Sequence, residues 1–496
     1  MSWISKTEGR LAHWLSVDGG RGFFVCIVVL GLLAYGGQLL VPNSLPALHN
    51  ADLWTAPLVT LAQAFAAGGL ALSVAFSILA LVSCSQRLRI LTRTICAFCS
   101  DIPVLGGVSL VLGLCLPFSA VVAITAFSLC VRIVRAALNE EENIPSSYLK
   151  TAQSLRLKTW QCFWRIHMPV AFPKIAQTIL EDVPDFWLRL LGAQALLAMI
   201  EPHYSSGCGA QAFEALMQHK MGLFCWALGA MFLIRALVYQ AVIGPLVQRS
   251  HRYHTPPHLA PSLHDDGETL WWKKSLVWLF LVSGLLIFWT IITPLHSWFF
   301  FLREGGVFLI SSLIILTCCA ALWTVLGGYM IGKRGNLRRL FHLLSALFLM
   351  SPFVFLEPFF HSYIAFVICL ILSLQGAFGW SILAKDEGKH QKRLYRTARH
   401  LRVPPFSFWQ KIRLPLALPA VSRGALYTLS PMWNSLYLGG ALSPLVWVAF
   451  REGSFSKQPA ETFSLLIIMT SCALIVRHAI ACPLQRYLLR KYKVSP

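Results

Sequence analysis

Residues 151–169 have the sequence TAQSLRLKTWQCFWRIHMP, and residues 397–415 have the sequence TARHLRVPPFSFWQKIRLP. The two stretches lie 246 residues apart and align without a gap. The identical pairs are Thr151 and Thr397, Ala152 and Ala398, Leu155 and Leu401, Arg156 and Arg402, Ile166 and Ile412, and Pro169 and Pro415. An internal repeat defines the structural unit of a chain. The unit here is half of the chain.

The bulk composition indicates a membrane protein. The chain is 56% hydrophobic and only 13% charged, whereas a soluble domain carries about a quarter charged residues. Its 496 residues are enough for a dozen spans of about 20 residues with short loops. A net charge of +21 would suggest nucleic acid in a soluble protein, but basic cytoplasmic loops account for it in a membrane protein. We therefore expect no nucleic-acid partner.

Apolar runs of transmembrane length recur along both halves of the chain. They are too long and too evenly apolar for barrel strands, so they predict helices. The predicted spans are about 22–41, 57–82, 100–116, 118–138, 172–199, 221–246, 275–294, 307–332, 340–359, 362–384, 420–443 and 461–483. The predicted fold class is all-α, a polytopic membrane protein with about twelve transmembrane helices in two pseudo-equivalent six-helix halves. These halves are residues 1–246 and 274–496.

The distribution of basic residues predicts the orientation of the chain. The segments 42–56 and 200–219 contain no Lys or Arg, whereas basic residues cluster after the second span and around both repeats. The cluster near the first repeat is Arg132, Arg135, Lys150, Arg156, Lys158, Arg165 and Lys174. By the positive-inside rule, both repeats and both termini are cytoplasmic, which requires an even number of spans.

The segment 247–273 is the one sizeable polar stretch between the halves. It contains His251, His254, His258 and His264, which could bind metal weakly or belong to a solvated linker. We interpret it as a cytoplasmic linker and assign it no chemistry. The 14 cysteines lie mostly inside apolar runs, so the sequence predicts neither a metal site nor a disulfide framework.

The repeated loops, at about 143–169 and 385–415, carry an alanine and, further on, an Ile-x-(Met/Leu)-Pro end at fixed spacing. This pattern resembles the EAA loop of ABC importer permeases, the inner-membrane components of binding-protein-dependent transport systems. The family pattern is roughly Glu-Ala-Ala-x-x-x-Gly, nine residues, Ile-x-Leu-Pro. Its second alanine corresponds to Ala152 and Ala398. The resemblance implies that each loop docks as a short coupling helix on an ATP-hydrolysing subunit.

The loops depart from the family pattern at two positions in the same way. The glutamate position is Lys150 and Arg396, and the glycine position is Arg156 and Arg402. Glycine there would end the first short helix in a left-handed residue, a conformation that arginine adopts at some cost. The sequence leaves open whether this turn is kept or built differently.

The resemblance covers most of the chain and is greatest to the fused permeases for iron(III) and thiamine. It implies a multi-pass protein of the bacterial inner membrane, with ATP-binding subunits, in two copies, and a periplasmic solute-binding protein as partners, alongside membrane lipid. The chain contains no Walker motif, so ATP hydrolysis belongs to another polypeptide. We expect no enzymatic activity and no cofactor.

Three alternatives to this interpretation remain. A secondary transporter with fused halves would be driven by an ion gradient through intramembrane carboxylates. A membrane scaffold would not transport at all. The repeated loops could also be amphipathic segments that bind lipid headgroups, although such binding does not require a fixed spacing from Ala to Pro that occurs twice.

Three acidic residues, Glu181, Asp182 and Asp185, fall inside the fifth predicted span. Acidic residues in a span face a cavity or a partner, so one hypothesis is that they line the translocation path and favour a cationic solute. The alternative is charge pairing, with Arg189 at i+4 from Asp185 or with Arg235 on the next span.

The equivalent place in the second half is polar and uncharged. Residues 430–435 read SPMWNS, and Pro431 stands 246 residues after Asp185. Trp433 and Asn434 are therefore further candidates for the translocation path. An asymmetric lining is expected where one asymmetric solute passes between two similar halves.

Overall fold

The computed structural model describes residues 51–250, with gaps at 84, 101, 142–143, 145, 201–205 and 219. In the second half it describes residues 298–330, 404–442 and 459–491, together with isolated positions at 282–284, 286–287, 289, 371 and 374–375. Every regular element in these ranges is a helix. The prediction of an all-α fold is confirmed for this part of the chain.

The chain forms two compact units. Unit 1 comprises residues 1–100 and 110–268, and unit 2 comprises residues 101–109 and 269–496. The α-helices up to residue 250 are α1 (Ala51–Val82), α2 (Gln86–Cys99), α3 (Val108–Leu112), α4 (Pro117–Glu141), α5 (Ser146–Ser154), α6 (Thr159–Cys162), α7 (Met168–Ile200), α8 (Cys208–Met217), α9 (Met221–Val238) and α10 (Gly244–Ser250).

Unit 1 is built around α4, which packs against α1, α2 and α7. The α1 side of the core consists of small residues at helical spacing, Ala67, Ala71 and Ala75. Small side chains let the backbones of two helices approach closely, which is the main packing device where lipid surrounds a bundle. On α4 the core face carries branched aliphatic residues such as Ile133 and Val134, which are fully buried.

Helix α7 is bent within unit 1. The axes of the helical segments Thr159–Val183 and Asp185–Ile200, on either side of Pro184, differ by 46°. Proline has no backbone N–H and its ring clashes with the preceding turn, so a bend at this residue is expected. Pro184 lies inside the predicted span 172–199, and the position of the bend agrees with it.

The turn before α8 is fixed by close packing and buried hydrogen bonds. Gly207 has a φ of +106°, which only glycine adopts without strain. The backbone N–H of Cys208 donates to Thr60 Oγ1 at 2.8 Å, and that of Gly209 donates to Gln194 Oε1 at 2.8 Å. These two bonds satisfy amides at the start of α8 that have no partner inside the helix.

The described helices of unit 2 are α11 (Trp298–Met330), α12 (Pro405–Phe408), α13 (Leu414–Leu442), α14 (Pro459–Ile475) and α15 (Cys482–Lys491). Helix α11 packs on α13 and α14, and Phe308 stacks on Trp433 with ring centroids 5.3 Å apart. A 3₁₀ turn at Val104–Gly107 also belongs to this unit, where it contacts α13 and α14. A Cβ at Gly106 would lie 3.1 Å from Leu466 Cδ1, so the absence of a side chain permits this contact.

Within the described ranges, four helices are long and apolar enough to cross a membrane: Trp54–Val82, Pro117–Glu140, Gly305–Leu326 and Ser464–Leu488. They correspond to the predicted spans at 57–82, 118–138, 307–332 and 461–483. Two further pairs of helices qualify if each pair is one broken span, and one of them is the bent helix that includes α7.

The predicted span at 100–116 is wrong as one continuous helix. Its described residues form the 3₁₀ turn at Val104–Gly107 and the five-residue helix α3, and the helix before them, α2, was not predicted. Pro103 and the glycines at 106, 107 and 113 explain the interruption, because proline and glycine are the poorest helix formers. The predicted spans at 22–41, 275–294, 340–359 and 362–384, and most of the linker 247–273, lie wholly or mainly outside the described residues.

We expect Gly209→Ala to destabilise the chain. A Cβ at this position would collide with the main-chain oxygen of Leu191, and a backbone neighbour cannot turn away as a side chain can. The cost should be about 1–3 kcal/mol, seen as a lower unfolding midpoint of the full chain in detergent. In the matched variant Gly68→Ala the new Cβ meets nothing within 4 Å inside α1, so its midpoint should stay or rise. Equal midpoints for the two variants would contradict this account of the turn.

Candidate functional site

The first repeated loop consists of two short helices joined by a tight turn. Helix α5 ends at Ser154, and Arg156 has a φ of +49°. The N–H of Leu157 donates to the carbonyl of Ala152 at 3.1 Å, a bond that spans five residues. A left-handed residue enclosed by such a bond is the Schellman end of a helix. Arg156 therefore occupies the glycine position of the turn and keeps the turn's conformation.

The second short helix of the loop continues directly into the long helix of unit 1. The N–H of Lys158 donates to Gln161 Oε1 at 3.1 Å, which satisfies one of the amides at the start of α6. After α6 the chain makes one π-helical turn, Phe163–His167, and α7 begins at Met168. The loop and the long helix therefore form one continuous helical path.

Aromatic side chains connect the surface of this loop to the core of unit 1. Trp160 is 60% exposed, and its ring stacks on Phe163 at a centroid distance of 6.0 Å. Phe163 is buried in the core cluster together with Met168. Trp164 lies 5.5 Å from Trp160 in an edge-to-face arrangement. An exposed large aromatic residue on a buried aromatic base is typical of a protein–protein contact.

The described part of the second loop has the same construction. Helix α12 covers Pro405–Phe408, a π-helical turn covers Trp409–Arg413, and α13 begins at Leu414. Helix α12 and this π-helical turn begin and end 246 residues after α6 and the first π-helical turn. Helix α13 begins 246 residues after the start of α7. Phe406, 246 residues after Trp160, is 72% exposed. Both loops therefore present an exposed aromatic residue at this place, and in the first loop Trp164 is exposed as well.

The predicted coupling-loop residues of the first copy differ in exposure. Thr151, Leu155 and Arg156 are exposed, Ala152 is buried, and Ile166 and Pro169 are half-buried. In the second copy, Thr397, Ala398, Leu401 and Arg402 lie outside the described residues. Ile412 belongs to the π-helical turn, and Pro415 is half-buried near the start of α13.

A group of four charges, three of them buried, joins α4 to α7. Arg189 is fully buried and donates to Asp182 Oδ2 at 2.6 Å and to Asp185 Oδ2 at 2.7 Å. Arg132 on α4 binds both carboxylates from the other side, at 2.5 Å from Asp185 Oδ2. Arg189 also donates to Ser128 Oγ at 2.7 Å. We call Arg132, Asp182, Asp185 and Arg189 the charge network; its two positive and two negative groups give no net charge.

The predicted pairing of Asp185 with Arg189 is confirmed, but the role of Arg132 was missed. Arg132 was grouped with the basic residues around a cytoplasmic loop, although it lies inside the predicted span 118–138. An arginine inside a predicted span requires an acidic partner, and this signal could have identified it. Glu181 lies outside the charge network and accepts a hydrogen bond from Gln177 Nε2 at 2.9 Å. Arg235, the other predicted partner, is buried on α9.

The equivalent positions of the second half lack all three charges that α7 contributes to the network. Counting 246 residues onward, Asp182, Asp185 and Arg189 correspond to Thr428, Pro431 and Ser435. Thr428 and Ser435 are buried, and so are the candidate path residues Trp433 and Asn434. Trp433 is also the equivalent of Trp187, which is likewise buried. The acids and their arginine are thus present together in one half and absent together in the other.

Comparison of the chain with protein families, with curated proteins and with solved structures found no match. The two loops and the charge network are therefore the observations from which a function can be inferred.

We expect Arg156→Gly to stabilise the chain slightly. Relief of the left-handed conformation gains roughly 1–2 kcal/mol and the backbone entropy of glycine costs roughly 0.5–1 kcal/mol. The unfolding midpoint in detergent should rise. Arg165→Gly is the control, because this exposed residue has helical neighbours and glycine there should lower the midpoint. If both variants lower the midpoint equally, the left-handed turn at Arg156 is not the source of strain.

We expect Arg189→Met to lower the free energy of unfolding by about 3–5 kcal/mol, because it leaves the charge network with an uncompensated buried carboxylate. The double variant Asp185→Asn with Arg189→Met keeps one acid and one arginine, so it should recover much of this loss. The measurement is the unfolding midpoint of the purified chain, with the exposed Arg165→Met as control. A double variant less stable than Arg189→Met would show that the four groups do not act as a neutral unit.

Proposed function

We propose that this chain is the membrane-spanning permease subunit of an ATP-driven importer. It passes a small solute from a periplasmic binding protein into the cytoplasm, and separate ATP-binding subunits dock on its two repeated loops. The observation that carries this proposal is that residues 159–168 and 405–414 form the same elements, with an exposed aromatic residue, Trp160 and Phe406, at the same position. Two equivalent docking loops are suited to two copies of one partner subunit.

The connection between loop and bundle supports a coupling role. Trp160 stacks on Phe163, Phe163 lies in the core, and α7 follows without a break. A partner that displaces the loop would therefore act on the core and on α7 together. A loop that only anchors the chain to lipid has no need of such a connection.

The retained turn at Arg156 also supports the resemblance to importer permeases. The departure from glycine at this position raised the question whether the two short helices still meet at the same angle. In the first loop, the left-handed φ of Arg156 and the bond from Leu157 to Ala152 are those expected of a glycine at this position. With arginine in that place, the turn additionally presents a positive charge toward an incoming partner.

The architecture we propose is twelve spans in two halves, in the bacterial inner membrane with both termini cytoplasmic. Four described helices of spanning length, and up to six if bent pairs count, support part of this arrangement. The common boundaries of the loops 246 residues apart support the repeat. The absence of a Walker motif in the sequence supports a separate source of ATP hydrolysis.

The charge network bears on the rival proposal of an ion-driven carrier. Such a carrier needs an intramembrane carboxylate that exchanges an ion or a proton. Asp182 and Asp185 are each bound by two arginines, so neither offers a free negative charge. Glu181, outside the network, remains the candidate for a path residue that favours a cation, and loss of transport in Glu181→Ala would support that role.

We expect an ATP-binding subunit to co-purify with the tagged full chain from native membranes in mild detergent, identified by mass spectrometry. Arg156→Glu with Arg402→Glu should abolish its recovery, because the charge at the same position of both repeats is reversed. Trp160→Ala with Phe406→Ala should reduce its recovery at least ten-fold, as expected for loss of about 1.4 kcal/mol or more at each of two aromatic anchors.

The matched control replaces two exposed aromatic residues outside the loops. Trp54→Ala with Phe65→Ala removes similar side chains from α1, 53% and 54% exposed, and should leave recovery unchanged. Recovery of an ATP-binding subunit with all variants would place its docking surface elsewhere. No ATP-binding subunit with any form of the chain would favour the ion-driven carrier.

A further inference from the structure

Helix α2 carries its apolar stripe on the outside. Its sequence, QRLRILTRTICAFC, has three arginines and no acidic residue. The exposed residues Arg87, Ile90, Leu91, Thr94 and Ile95 follow the spacing i, i+3, i+4, i+7 and i+8. This spacing defines one face of a helix. A helix that borders water places such a stripe inward, so an outward stripe indicates a different medium on that side.

The exposed face is a continuous aliphatic surface. Leu88, Ile90, Leu91 and Ile95 are 45–62% exposed. The hydroxyl of Thr94 donates to the carbonyl of Ile90 at 3.1 Å, so it needs no outside partner. A surface whose polar groups are satisfied internally is compatible with hydrocarbon.

The inner face of α2 is fastened to α4, which fixes the outward direction of the stripe. Arg93 Nη2 donates to the carbonyl of Leu138 at 2.7 Å, and Arg135 Nη1 donates to Ser100 Oγ at 2.6 Å. These bonds hold both the middle and the end of α2 against the last turns of α4. Cys96, on the same inner side, belongs to the core cluster of unit 1.

We propose that an anionic phospholipid docks along this outer face of α2. Its phosphate binds the exposed guanidinium of Arg87, and one acyl chain lies over Leu91 and Ile95. Along a helix the distance from residue 87 to residue 95 is about 12 Å, which matches the upper part of an acyl chain. The positive charge of Arg87, with no acid on the helix, provides the complementarity to an anionic headgroup.

This inference does not depend on the proposed transport function, because lipid binding can be measured on the isolated chain. The purified full chain is mixed in detergent with phosphatidylglycerol or with phosphatidylcholine of the same acyl chains. Native mass spectrometry then counts the lipids retained. We expect preferential retention of phosphatidylglycerol by the wild type, and a loss of about five-fold in Arg87→Gln, since one basic residue near a lipid surface contributes about that much.

Arg303→Gln is the matched control, because Arg303 is an exposed arginine beside the exposed Leu302 on another apolar helix. It should keep the wild-type retention. Leu91→Asn with Ile95→Asn should lower retention of both lipids, because it removes the acyl contact. Inorganic phosphate at the same concentration as the lipid should not displace phosphatidylglycerol.

Several results would overturn the proposal. Equal retention of both lipids by the wild type would show that the headgroup charge is not recognised. An unchanged Arg87→Gln, or an equal loss in Arg303→Gln, would show that any arginine of the chain serves as well. Displacement by inorganic phosphate, or full retention in the asparagine variant, would show a simple anion site in place of a lipid surface.

Discussion

A charge inside an apolar helix bundle is stable only when an opposite charge reaches it, and this constraint sets the register between α4 and α7. Arg132 meets Asp182 and Asp185 on the facing helix, and a slip of one turn would move it about 5.4 Å away from both. The contact lies beside Pro184, where α7 bends and its own hydrogen-bond ladder is interrupted. The charge network therefore holds the helix at its weakest point. Helix α7 is continuous with the loop that precedes it, and its residue Gln194 binds the turn before α8. The positions of this loop and this turn therefore depend on α7.

In the second half, the described part of the loop has the same elements, but the helix that follows it carries different side chains. The element boundaries at 405–414 match those at 159–168, yet Thr428 and Ser435 stand where the charge network has Asp182 and Arg189. Thr428 Oγ1 donates to the carbonyl of Ala425 at 2.9 Å, so this hydroxyl is satisfied within its own helix. There the packing of Phe308 on Trp433 joins α13 to α11. The described end of the loop is thus alike in both halves, whereas the side chains of the following helix differ, as expected if one asymmetric solute passes between them.

The parts of this molecule that were predictable are those that follow from local physics. Apolar length predicts α1 and α4, a proline inside an apolar run predicts the bend of α7, and i+4 spacing predicts the pair of Asp185 and Arg189. The partner role of Arg132 depends on which helices are neighbours, which spacing along one helix does not reveal. Helix α2 was missed because its arginines lower the mean hydropathy and its aliphatic stripe covers only one face. The turn at Arg156 could not be decided either, since the cost of a left-handed arginine is small enough for the surrounding helices to outweigh it.

Two exposed apolar surfaces of unit 1 differ in kind, and the difference argues for two kinds of partner. On α2 they are aliphatic and form a continuous stripe over more than two turns, which is a surface suited to acyl chains. On the loop two large rings, Trp160 and Trp164, are exposed beside basic residues, and Trp160 stacks on the buried Phe163. A rigid aromatic residue with a polar surround is what a protein partner binds, because it contributes contact area at little cost in side-chain entropy. The same position carries Phe406 in the second loop. If lipid were the partner of both surfaces, nothing would require one ring at one place in each loop, so the loops are the surfaces that we assign to a protein.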